Sequence, residues 1–107
     1  MKTLYGSTFI DEHELNEANI NYPIKLEYYK LIREDGISTD SIPKFGINVV
    51  KKEYIENNTK VEEKEIKYLS SDEEKVNNVL EILKQNKVTP IGVKDVMMDL
   101  SKEFMFF

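Results

Sequence analysis

One histidine is present, His13, set between Glu12 and Glu14. An imidazole flanked by carboxylates is the kind of cluster that can take a metal ion or pass a proton. A working imidazole needs a rigid neighbour to hold its tautomer and orientation, and the stretch from Asp11 to Asn21 is polar and acidic with only sparse apolar residues. His13 is therefore read as a solvated residue without a role. Glu62-Glu63 and Asp72-Glu73-Glu74 are further acidic groupings. Paired acids work in catalysis when burial drives their pKa values apart, and these fall on a strand surface and at a helix start. There is no cysteine, which removes disulfides, thiolate metal sites and cysteine nucleophiles together. With only four glycines, and no glycine-rich phosphate loop, serine elbow or metal-ligand spacing, the sequence reads as no enzyme. It offers no catalytic, cofactor-binding or metal residue and calls for no cofactor.

The elements that would have to position any site are clearer. After Pro23, the residues Ile24, Leu26, Tyr28 and Ile32 share one face, with Lys25, Glu27, Tyr29, Leu31 and Arg33 on the other, which predicts a strand ended by Asp35-Gly36. A second strand is expected from about Phe45 to Ile55 and a third from about Lys60 to Leu69. Asn57-Asn58 between them suits a two-residue turn, because asparagine tolerates positive φ. That turn sets Tyr54 opposite Val61, Val49 opposite Ile66 and Ile47 opposite Tyr68, gathering Phe45, Ile47, Val49, Ile66 and Tyr68 on one core face. It also sets Lys51 against Lys64 and Glu53 against Glu62, two like-charge pairs.

Ser71-Asp72-Glu73-Glu74 has the spacing of a capping box with Ser71 as the cap. Val76, Val79, Leu80 and Leu83 then form the apolar stripe of a helix reaching about Gln85. Asn86 is expected in the left-handed region at its end. Thr89-Pro90 reads as the cap and first residue of a second helix, with Val93, Val96, Met97 and Leu100 as its stripe, extending at least to Leu100. Residues 1–21 form an N-terminal arm, poorly ordered or, over Leu4 to Ile10, a strand on the sheet edge. Residues 22–107 form a single α+β domain, an antiparallel sheet of about three strands packed against two C-terminal helices.

Net charge is −5, spread as −4 over residues 1–42, +1 over 43–70 and −2 over 71–107. No segment clusters the Lys and Arg that a phosphate backbone requires, so nucleic acid is disfavoured as a partner. No run approaches the roughly 20 apolar residues of a membrane span, and the first residues lack the apolar run of a signal peptide. The protein is expected in the cytoplasm. The prevalence of Lys, Ile, Asn and Glu, with Arg33 the sole arginine, points to an AT-rich, bacterial genome.

Four segments taken in order resemble a small uncharacterised family of clostridia and their relatives. They are Tyr28-Tyr29-Lys30-Leu31, Phe45 through Glu53, Glu62-Glu63-Lys64-Glu65-Ile66, and Val88-Thr89-Pro90-Ile91 through Asp95-Val96. The resemblance covers about Glu27 to Leu100 and is most specific at Thr89-Pro90-Ile91 followed by Asp95-Val96. It implies a bacterial cytoplasmic protein and brings no activity or site residue with it.

The function expected on these grounds is that of an accessory or regulatory protein acting through protein–protein interaction, with an unknown protein or a second copy of itself as partner. The alternative is a winged-helix-like nucleic-acid-binding regulator, in which the second helix would read bases. That helix opens Pro90-Ile91-Gly92-Val93-Lys94-Asp95, and one lysine beside an aspartate makes a poor reader. The candidate interaction surface is the tail. Phe104 continues the stripe of the last helix, whereas Phe106 and Phe107 place large apolar rings at a terminus where chains are ordinarily polar.

Overall fold

The computed structural model describes residues 1–10, 23–33, 43–55 and 57–104, with the side chains of 102–104 excepted. Four strands form one antiparallel sheet in the order β1 (Lys2–Ile10), β2 (Ile24–Ile32), β3 (Phe45–Ile55) and β4 (Asn58–Ser70). Two helices follow, α1 (Glu73–Gln85) and α2 (Val93–Phe104), the second preceded by a 3-10 turn over Pro90–Gly92. No described helix is long and apolar enough to cross a membrane.

The core lies between one sheet face and the helices. Ile24, Leu26 and Tyr28 of β2 and Phe45, Ile47 and Val49 of β3 are buried against Val76, Val79, Leu80 and Leu83 of α1 and Val93, Met97 and Leu100 of α2. Alternation on the strands and the three-to-four spacing on the helices bring these residues together. The Tyr28 hydroxyl donates to the Val88 carbonyl at 2.9 Å, tying the central sheet to the connection between the helices. Burial holds its pKa far above the ordinary phenol value.

The fourth strand comes from the arm. Lys2–Ile10 pairs with β2 as an edge strand, and a bulge between Leu4 and Gly6 inserts Tyr5. The Tyr5 hydroxyl donates to Glu81 of α1 at 2.6 Å. Residues 11–22 lie outside the described residues, and His13 with them.

The register between β3 and β4 differs from the expected one by two residues. Ile55 pairs with Asn58, Tyr54 with Thr59, Lys52 with Val61, Val49 with Lys64 and Ile47 with Ile66. A slip of two preserves every side chain's face, so apolar patterning does not oppose it, and cross-strand charge favours it. Lys51 now faces Glu62, with nitrogen and oxygen 3.7 Å apart, and Glu53 faces Lys60, replacing the two like-charge pairs of the expected turn. Further along, Phe45 pairs with Ser70, so β4 carries Lys67, Tyr68 and Leu69 where β3 carries only Gly46. This irregularity turns Leu69 into the core and leaves Tyr68, expected there, 55% exposed. A Cβ on Gly46 would collide with the Ile66 and Lys67 carbonyl oxygens and lie 2.6 Å from the Lys67 carbonyl carbon.

The helix ends also differ from expectation. Asp72, not Ser71, caps α1, its carboxylate accepting from the amides of Glu74 at 3.0 Å and Lys75 at 3.3 Å. A charged acceptor complements the helix dipole better than a hydroxyl, and the Ser71 hydroxyl instead accepts from the Lys44 amide at 3.2 Å. Asn86 has φ −94°, and the left-handed residue is Lys87 with φ 49°. Thr89 precedes Pro90 as expected but makes no side-chain capping bond. Its carbonyl accepts from the Gly92 amide at 3.0 Å.

Candidate interaction surface

β4 is the last strand of the meander, and the chain leaves it at Ser70 for α1, so only β3 lies beside it. Among the described residues no strand pairs with its outer edge. Its charges are already matched at close range, Lys60 to Glu62 at 3.4 Å and Lys67 to Glu65 at 3.9 Å. Large apolar side chains border this edge without cover: Val61 at 55% exposure, Tyr68 at 55%, Met98 at 52% and Ile91 at 82%. Between β4 and α2 runs a groove of about 410 Å³ floored by Ile66, Leu69 and Met97, with Tyr68 and Met98 at its margins. A second hollow of about 300 Å³ lies beside Glu62, Glu63 and Lys64 under Ile91 and Lys94. Unpaired backbone groups next to uncovered apolar side chains can accept an added strand.

The opposite face of the sheet holds a buried carboxylate and a buried amide, Glu27 and Asn48. Glu27 is buried there, its carboxylate 2.9 Å from Lys52 and 3.8 Å from Lys25. Hydrogen bonding to the Lys52 ammonium, with both lysine charges, holds its pKa below the ordinary carboxylate value despite burial. That keeps it an ionised partner and far from the near-neutral pKa of a general base. Asn48, on the same face, is 1% exposed, and among the described residues neither its side-chain oxygen nor its nitrogen has a hydrogen-bond partner. A hollow of about 480 Å³ on this face is lined by Lys2, Leu31, Arg33, Glu65, Lys67 and Tyr68. Lys2 stands 4.2 Å from the centroid of the Tyr29 ring.

The family model described as "Family of unknown function (DUF6514)" matches residues 1–103. This chain belongs to that family. No curated protein and no solved structure matches it. The DUF6514 description carries no activity, so the site rests on geometry alone. Phe106 and Phe107, the residues singled out from the sequence as an interaction surface, lie outside the described residues. At the start of the second helix, Ile91, Lys94 and Asp95 are exposed. Among the described residues no group of three or more His, Cys, Asp or Glu side chains could hold a metal ion. The β4 edge escaped the sequence reading, although a signal for it was present. The last strand of a meander that runs straight into helices has one neighbour only, and Val61 and Tyr68 sit on it among charges.

Proposed function

We propose that this DUF6514 protein is a small bacterial cytoplasmic accessory or regulatory protein that acts by protein–protein contact and not by catalysis. One observation supports this best: among the described residues the outer edge of β4 has no paired strand, and Val61, Tyr68, Met98 and Ile91 beside it are exposed. Monomeric proteins usually cover such edges; here uncovered apolar side chains flank the edge on both faces, Val61 on the Glu27 face and Ile91 and Met98 on the helix face. The absence of cysteine and the lysine-rich, arginine-poor composition fit a reducing bacterial interior. The tail residues Phe106 and Phe107 are a second contact surface in the same reading.

The test uses three baits in parallel: the intact protein, a Val61→Lys, Tyr68→Ser, Met98→Ser triple variant, and a form lacking Phe106 and Phe107. A stoichiometric binder, either another protein or untagged copies of the chain, should be retained by the intact protein. It should be lost from at least one altered form whose melting temperature is unchanged. Identical retention by all three, or none by any, would contradict the reading.

A further inference from the structure

We propose that the occupant of the β4 edge is β4 of a second copy, joined antiparallel about a two-fold axis through Val61 into one eight-stranded sheet. The inference deepens the contact reading above and rests on it. When a strand pairs antiparallel with its own copy, the two-fold runs perpendicular to the sheet, so one residue faces itself and its neighbours face each other across the axis. This symmetry makes the register a matter of charge. Centring on Lys60, Glu62, Glu63, Lys64 or Glu65 sets a like-charge pair on the axis. Between Lys60 and Ile66 only the two apolar centres, Val61 and Ile66, escape.

The irregularity at Gly46 separates these two. An axis at Ile66 needs extended chain on both sides of it, and beyond Ile66 the strand takes three residues against the single Gly46 of β3. The Val61 register uses only Asn58 to Lys64, which pair regularly with β3. In it Val61 meets Val61, Lys60 meets Glu62 on both sides of the axis, Thr59 meets Glu63, and Asn58 meets Lys64. There are no like-charge pairs, and the asparagine and threonine side chains each face a charged partner they can hydrogen-bond. The copy's Asn58–Lys60 segment would run beside Glu62–Lys64, bordering the hollow under Ile91, and would explain the exposure of that residue. A strand pair of this length is at the low end of interface sizes, so the dimer should dissociate on dilution.

Because the chain has no cysteine, single-cysteine variants test the register directly. Facing Cα atoms in an antiparallel pair are about 4.5 to 5.5 Å apart, within disulfide reach. Val61→Cys should convert almost completely to a covalent dimer under mild oxidation. In the same register the two copies of position 63 are separated by about 14 Å and those of position 66 by about 34 Å along the strands. Glu63→Cys and Ile66→Cys should therefore stay monomeric. Lys60→Glu, with Val61 intact, sets glutamates opposite one another on both sides of the axis and should abolish concentration-dependent dimerisation. A Val61→Cys variant that does not cross-link, three variants that cross-link alike, or a faster reaction at position 66 would each overturn the proposal. If the baits above retain a different protein while Val61→Cys stays monomeric, the contact reading survives and self-pairing falls.

Discussion

Gly46→Ala should be the most damaging alanine substitution among three glycines of the described fold. At Gly46 the obstacle is the backbone of β4 itself, with the Ile66 and Lys67 carbonyls crossing directly over the position a Cβ would take. Neither can rotate away, so relief requires β4 to shift at its pairing with Phe45 and loosen Leu69 in the core. Overpacking of this kind costs roughly 1 to 3 kcal/mol, and the upper end applies where backbone is the obstacle. For a domain of this size, 3 kcal/mol corresponds to a fall in melting temperature of about 12 to 24 °C. Gly6 and Gly92 supply the comparison. A Cβ at Gly6 meets the flexible Lys84 side chain at 3.0 Å, and one at Gly92 meets Val88 at an ordinary 3.4 Å. Their alanine variants should melt within a few degrees of the parent. Thermal unfolding followed by circular dichroism measures all three, and a Gly46→Ala protein as stable as Gly92→Ala would refute the reasoning.

Asn48→Leu should stabilise the fold by about 1 to 3 kcal/mol, the cost of a buried polar group without partners. A lower urea midpoint for the variant would show that Asn48 is satisfied. Thr89→Ala should change stability by less than a few tenths of a kcal/mol, because no side-chain bond is made; a loss near 1 kcal/mol, the usual worth of a cap, would show that one forms. Glu27 has a folded pKa below its unfolded value, so its contribution is present above the ordinary carboxylate pKa and is lost as pH falls through the folded one. Denaturant midpoints between about pH 5 and pH 3 should therefore fall less for Glu27→Gln than for the parent, and parallel profiles would remove Glu27 from the account.

The two-layer α+β plan was legible because burial needs only periodicity. Ile24, Leu26 and Tyr28 alternate, and Val76, Val79, Leu80 and Leu83 recur at helical spacing, so each element's inner face follows from its own residues. Register was not legible in the same way. A two-residue slip leaves every face unchanged, and the choice of an asparagine turn outweighed the like-charge pairs it created, which were the evidence for the slip. Tyr68 was misplaced because the extra residues opposite Gly46 obey no period. β1 was hard to see because Lys2 to Ile10 mixes polar and apolar residues on both faces, as an edge strand does when only one face meets the core. The interaction surface was sought at Phe106 and Phe107, where apolar residues cluster in sequence. The β4 edge assembles its apolar border from Val61, Tyr68, Ile91 and Met98, residues from three elements that only the fold brings together.

Sedimentation velocity over a wide concentration range, with the intact protein and Val61→Lys side by side, tests most directly whether the β4 edge is where this chain meets another. The intact protein should shift from monomer toward dimer as concentration rises, while the variant, with two lysines forced together on the axis and an unchanged melting temperature, should remain monomeric throughout. A monomeric parent at every concentration, or a variant that associates as readily as the parent, would contradict the self-pairing assigned to that edge.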